Sequence, residues 1–225
     1  MSNAAPISSE TPINVTITND LKKVYKEILE KHLDGREFNE NKILTWMNNI
    51  LIDAKEYFIK KYNKYDLFLY VYTCPRNVYF HSNCYSISLK NIDWVDFVNF
   101  QTDKMFSSLY FFFYSHVDLK YSIDDIESEI IQNANEIIEK YLEGRNYNLV
   151  QKNNYSNNIN VDETNFIINK ENKCRCFFLN EIYQNPIKSK FYFKYLSYGK
   201  DIYSKIMQTY VNDSLKCYHY TFFFK

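Results

Sequence analysis

Residues 26–39, KEILEKHLDGREFN, recur at residues 135–148 as NEIIEKYLEGRNYN, with eight identities in fourteen at a constant offset of 109. Each copy has apolar residues at helical spacing that stop at a glycine, Gly35 or Gly144, two of only three glycines in the chain. A glycine at this place is typical of the left-handed residue that ends a helix. The sequence therefore predicts two similar units in tandem.

A second pair of similar segments lies at the ends of the two halves of the 225 residues. The segment LYFFFYS at 109–115 corresponds to HYTFFFK at 219–225, again in the same order and at nearly the same offset. We place the first unit at residues 13–118 and the second at residues 119–225. Residues 1–12 are small and polar, and they are predicted to form a disordered tail.

The periodicity of the first unit changes from helical to extended. Apolar residues recur every three or four positions through 17–33 and through 43–61, which predicts two amphipathic helices. The continuous run LFLYVYT at 67–73 is typical of a strand buried on both faces. Three more strands are predicted at 78–86, 93–101 and 105–114. The order is two helices followed by four strands.

The second unit repeats this order with one strand fewer. A helix is predicted through 126–141, and the Asn-rich segment KNNYSNNIN at 152–160 is interpreted as an inserted mobile loop. A second helix is predicted from Asp162 to Tyr183, before Pro186. Three strands then remain, at 190–198, 202–211 and 215–224, so the second unit is expected to lack a counterpart of DWVDFVNFQ. The predicted fold class is α+β, with two helices packed on an antiparallel sheet in each unit.

Composition excludes several classes of function. Twenty-seven Lys and Arg balance 27 Asp and Glu, so no net charge favours nucleic acid or an anionic membrane as a partner. Three glycines leave no Gly-rich phosphate loop. Five cysteines, an odd number, and the lack of a basic-then-apolar leader favour a reducing, cytoplasmic compartment. No run of apolar residues approaches the length of a membrane span.

The motifs of the first unit resemble those of the Tctex-type dynein light chains. The segment ILTW at 43–46 is similar to the V-x-x-W of that family, and LYVYTC at 69–74 is similar to its YIVTC strand. FHSNCY at 80–85 is similar to its H-T-A-S-S-C-F/W strand, and DWVDFVNFQTDKM at 93–105 to its T-V-R-W-E-N-x-T-M hairpin. The resemblance covers about residues 17–117, and the second unit follows through the internal repeat.

The resemblance implies a non-enzymatic adaptor of cytoplasmic, microtubule-associated dynein. Such light chains form homodimers that exchange a strand, and they dock an extended segment of the dynein intermediate chain or of a cargo along a sheet edge by β-augmentation. Other dynein light chains are further expected partners. Two units in one chain would make the exchange within that chain, giving a monomeric pseudo-dimer rather than a homodimer, with one competent groove. Its expected peptide-binding residues are Phe80, Ser82, Cys84, Trp94, Val95, Phe97 and Asn99.

Chemistry-bearing residues elsewhere suggest weaker alternatives. His81 and Cys84 are three positions apart on a strand, hence on opposite faces, which disfavours a thiol nucleophile with a histidine base. Two close pairs, Cys174 with Cys176 and Cys217 with His219, have the ligand types of a zinc site but not its usual spacing. No catalytic motif is present, so we predict no enzyme activity, no cofactor and no metal.

Two alternatives without catalysis remain open. The row IKSKFYFK at 187–194 interleaves lysines with Phe191 and Phe193, a pattern that single-stranded nucleic acid can use for stacking or that guards an exposed edge from aggregation. The other alternative is a scaffold or assembly protein that keeps the fold without binding a peptide.

Overall fold

The computed structural model describes residues 13–76, 80–87, 93–115, 127–148, 150–170, 175–184, 192–199 and 202–224. The predicted tail, residues 1–12, lies outside this part of the chain. Two helices and four strands follow one another twice, and the predicted α+β class with antiparallel sheets is confirmed. The elements are α1 (Ile13–Leu33), α2 (Glu40–Tyr62), β1 (Tyr65–Pro75), β2 (Phe80–Ile87), β3 (Trp94–Gln101), β4 (Met105–Ser115), α3 (Glu127–Leu142), α4 (Lys152–Lys170), β5 (Arg175–Gln184), β6 (Tyr192–Tyr198), β7 (Ile202–Val211) and β8 (Leu215–Phe224).

Local signals end α1 and α3 and begin α2. Gly35 and Gly144 adopt φ values of +66° and +65°, as expected of the glycine that follows a helix. Asn39 caps α2, because its side chain accepts a hydrogen bond of 3.0 Å from the backbone N–H of Asn41. No helix among the described residues is long and apolar enough to cross a membrane.

The second half contains four strands, so the prediction of a missing strand was wrong. Residues 175–183 form most of β5 rather than the end of a helix, and every one of them is buried. Because β5 lies inside a sheet and both of its faces are covered, RCFFLNEIY shows no alternation that would distinguish strand from helix. With β5 assigned, β7 becomes the counterpart of β3.

The Asn-rich segment 152–160 is also not a loop, because it forms the first half of α4. The buried face of this helix carries Ser156, Asn160 and Glu163 beside Ile159 and Ile167. These polar groups meet polar groups of the sheet, so the helix has no continuous apolar stripe. A search for apolar periodicity therefore misses it.

Each sheet combines strands from both halves of the chain. The first sheet has the order β3-β4-β1-β6, and the second has the order β2-β5-β8-β7. Strand β2 belongs to the first half of the chain but pairs with β5 of the second half, from Phe80 opposite Tyr183 to Ile87 opposite Cys176. Strand β6 makes the reciprocal crossing and pairs with β1. Neither sheet is built from one half alone.

The two sheets pack face to face between two pairs of helices. Helices α1 and α2 cover the first sheet, and α3 and α4 cover the second. The inter-sheet layer is mostly aromatic, and burial of each ring contributes roughly 2 kcal/mol. It consists of Phe68, Tyr70, Tyr72, Cys74, Tyr110, Phe112, Tyr114, Phe177, Leu179, Tyr220, Phe222 and Phe224.

The end of β6 approaches the start of β1 closely at a glycine. Gly199 has a φ of +92°, and a Cβ atom there would lie 1.6 Å from Oδ1 of Asp66. Only glycine fits this place, which is the third glycine of the chain. The crossing strand is thus held against β1 up to its last residue.

Candidate functional site

The edges of the two sheets lie over each other at both sides of the molecule. Strand β3 is an edge of the first sheet and contacts β2, an edge of the second; we call these strands the first edge pair. Strands β7 and β6 form the second edge pair, where a β7 side chain reaches rings of β6. Within the described residues each edge strand is paired on one side only, so its other side offers backbone groups to an added strand.

Strand alternation divides the predicted residues of β3 between two faces. Val95 packs against the inter-sheet layer, and the ring of Phe97 lies 5.3 Å from that of Tyr110 on the same side. Asn99 shares this face and accepts a hydrogen bond from the Ser108 hydroxyl. Trp94 lies on the opposite face, which carries residues that contact α1. The structure therefore brings together only three of these four residues.

Strand β2 supplies the other predicted residues. The backbones of Phe80, Ser82 and Cys84 pair with Tyr183, Glu181 and Leu179 of β5. Cys84 is half-buried and packs, like Val95, against the inter-sheet layer. The side chains of Phe80 and Ser82 lie outside the described part of the structure. Cys84 and Val95 thus pack against the same inter-sheet layer, one from each strand of the first edge pair.

Trp94 and Phe97 expose apolar surface on both faces of β3. Each is 38% exposed, whereas Tyr110, which lies opposite Phe97 on the neighbouring strand, is 2% exposed. A strand added beside β3 would therefore have an indole on one face and a phenyl ring on the other. Backbone hydrogen bonds provide affinity in such a complex, and contacts with alternate side chains provide selectivity.

Sequence reasoning missed the second edge pair, because β7 was not recognised as the counterpart of β3. The register shows the equivalence: Phe97 lies opposite Tyr110, and Met207 lies opposite Tyr220. Met207 is 55% exposed, so both edges present an apolar side chain at the same place. The tyrosine that precedes each Phe triplet was the available signal, since counting 13 residues back from Tyr110 and from Tyr220 reaches Phe97 and Met207.

Three of the four described cysteine thiols are poor nucleophiles. Burial raises the pKa of the Cys74 thiol to about 12 and also raises the pKa values of Cys84 and Cys217. A protonated thiol is neither a good nucleophile nor a metal ligand. The arrangement of Cys84 is that of a packing residue.

The potential zinc ligands lie apart. Cys176 packs in an apolar cluster with Phe223, and Cys217 packs in another with Leu215. His219 contacts Asn180 and Glu163 in a buried polar cluster. Cys174 is outside the described residues, and no group of three potential metal-ligating side chains occurs among those described.

The lysine and aromatic row before and within β6 does not form one open face. Phe193 packs against the inter-sheet layer, whereas Lys194 lies on the alternate face, towards α2. Residues 187–191 lie outside the described part of the chain. The ring of Phe193 is stacked on Tyr70, at 5.8 Å between centroids, which leaves that face covered by protein.

Comparison with family models and with curated proteins identifies no relative of this chain. The chain matches no model of a protein family, and no curated protein is significantly similar to it.

Proposed function

We propose that this chain is a non-enzymatic adaptor of the Tctex-type dynein light chain kind, which docks an extended peptide along β3 by β-augmentation. The expected partner is a segment of a dynein intermediate chain or of a cargo, and the expected place is the cytoplasmic microtubule system. The exposed aromatic side chains of Trp94 and Phe97 on an edge strand of the first sheet are the observation that carries the proposal.

Reciprocal strand crossing supports a pseudo-dimer within one chain. Each sheet takes one strand from the other half, β2 in one direction and β6 in the other. This is the exchange that the resemblance implies between two subunits of a light-chain homodimer. We therefore expect the protein to be monomeric, because β2 and β6 already occupy the places that exchanged strands of a second copy would take.

Contacts between helices support the tandem interpretation. In the first half, Lys31 and His32 of α1 both contact Asp53 of α2, at 2.7 and 2.8 Å. In the second half, three residues at an offset of 109 make the equivalent contacts. These are Lys140 and Tyr141 of α3 with Asp162 of α4, at 2.6 and 2.7 Å.

The test is a titration of a labelled dynein intermediate-chain peptide, followed by fluorescence anisotropy, with the solution mass measured by light scattering. A mass near 27.3 kDa indicates a monomer. A lysine in place of Phe97 (Phe97→Lys) is expected to weaken binding at least about tenfold, because it removes an aromatic contact at the edge. Met207→Lys is the matched control at the equivalent position of the other edge, and it should bind as the unmodified protein does.

Two results would contradict the proposal. Equal affinity of the Phe97→Lys variant and the unmodified protein would show that the peptide does not lie along β3. No binding by any of the three proteins would favour the alternative of a scaffold that retains the fold alone.

A further inference from the structure

Lys205 of β7 extends across the second edge pair into a group of aromatic rings. Its Nζ lies 5.8 Å from the ring centroid of Phe193 and 5.1 Å from that of Tyr195, both on β6. It also lies 5.4 Å from Tyr220 and 5.6 Å from Phe222 on β8. Four rings therefore hold one ammonium group between the two sheets by cation–π attraction.

This ammonium group has no carboxylate partner within the described chain. No ion pair or hydrogen bond joins Lys205 to any residue that the structure describes, and burial lowers the pKa of its ammonium group by removing water. Aromatic rings offset only part of the lost hydration, because they carry no net charge. A carboxylate brought by a ligand would stabilise the ammonium group further.

The three strands around Lys205 carry no acidic side chain, and their exposed edge is apolar. Strands β6, β7 and β8 each contain one lysine, and none of them contains Asp or Glu. The third lysine, Lys216, lies 4.5 Å from the ring of Tyr218 on β8. Met207 and Val211 are 55% and 53% exposed on β7, so an apolar rim adjoins the charge.

We infer that the second edge pair binds an extended acidic segment of a partner protein, which adds a strand to β7 and sets a Glu or Asp side chain against Lys205. This inference rests on the proposed function, since it uses the same mode of strand addition. The register places Val95 where Lys205 stands, opposite Phe112 and Phe222 respectively. The two edges thus differ in charge at equivalent positions, and each selects a different class of segment.

The probes are two short fluorescein-labelled peptides of alternating serine and valine, one with glutamate and one with glutamine at the centre. Anisotropy at low salt should show the glutamate peptide binding about tenfold more tightly, the effect of one partly buried charge-assisted hydrogen bond. Lys205→Met keeps the length of the side chain and should abolish the preference. Lys205→Arg retains the charge and should preserve it, and Lys23→Met, which removes an exposed lysine of α1, is the control and should preserve it as well.

The two proposals fail in distinguishable ways. Equal affinity for the glutamate and glutamine peptides would overturn the inference about Lys205, and so would a preference for glutamate that persists in Lys205→Met. If the intermediate-chain peptide still binds and its binding still depends on Phe97, the proposed function is unaffected by that result. If neither the alternating peptides nor the intermediate-chain peptide binds, strand addition itself is wrong and both proposals fall.

Discussion

Glu181 is a carboxyl group enclosed by the inter-sheet layer. It is 1% exposed, and the hydroxyls of Tyr70 and Tyr183 each donate a hydrogen bond of 2.9 Å to it. Burial raises the pKa of this carboxyl from its ordinary value of 4.5 to about 7, because the charged form loses its water, although the two tyrosines offset part of the effect. One buried acid thus titrates near neutral pH at the centre of the molecule.

This raised pKa makes the free energy of unfolding depend on pH. The folded state holds a proton that the unfolded state releases above pH 4.5, so stability is complete below 4.5 and falls as the pH rises to about 7. The loss is about 3 kcal/mol. Glu181→Gln should flatten this decline, as measured by urea unfolding at a series of pH values. An unchanged slope in the variant would show that other groups cause the dependence.

Helix α4 is attached to the second sheet through buried polar contacts as well as through the apolar contacts of Ile159 and Ile167. Asn180 of β5 donates to Oδ1 of Asn160, and His219 of β8 contacts both Asn180 and Glu163. All four side chains are at most 1% exposed. A buried polar group left without a partner costs more than a hydrogen bond gains, so the contacts must form together. Because these hydrogen bonds must form together, they fix the position of α4 on the second sheet.

Substitution of two asparagines of α4 separates the contribution of the buried polar contacts to stability from that of helix propensity. Asn160→Ala should lower the free energy of unfolding by about 2 kcal/mol, because the buried amide of Asn180 loses the nearer of its two acceptors. Asn158→Ala makes the same change on the exposed face and should raise it by about 0.5 kcal/mol, since alanine favours helix. Equal effects in urea unfolding would show that the polar cluster does not hold the helix.

At the scale of the whole molecule, one buried ion pair joins the two sheets at an end. Nε of Arg175, the first residue of β5, lies 3.2 Å from Oδ2 of Asp93, and neither side chain is exposed. Asp93 also accepts from the backbone N–H of Ser115 at the end of β4. The guanidinium lies 4.6 Å from the ring of Tyr114. The pair therefore couples strands of both halves.

Removal of one partner leaves a buried charge uncompensated. Asp93→Asn should lower the free energy of unfolding by about 3 kcal/mol or more. Asp103→Asn is the control, because Asp103 is 82% exposed in its contact with Lys104 and such pairs contribute little. Comparable values for the two variants in urea or thermal unfolding would show that the buried pair does not couple the sheets.

The elements whose signals are local could be predicted from the amino-acid sequence. Helical spacing identified α1, α2 and α3, the glycines at 35 and 144 marked helix ends, and β7 and β8 were predicted at 202–211 and 215–224, their observed bounds. These features depend on the period of side-chain burial and on backbone conformation, which neighbouring residues specify.

The pairing of the strands and the faces that their side chains occupy depend on tertiary contacts, which the sequence does not reveal. Strand β5 was misassigned because burial on both faces erases alternation, and α4 was missed because its buried face is polar. The sequence does not show which face of β3 each expected peptide-binding residue occupies. Trp94 was therefore predicted to act together with residues that lie on the other face of β3. The cation held by rings from two strands of different sheets, Lys205, has no local signature at all. Such contacts join residues far apart in the chain, so their physical cause is packing between sheets rather than any pattern within one segment.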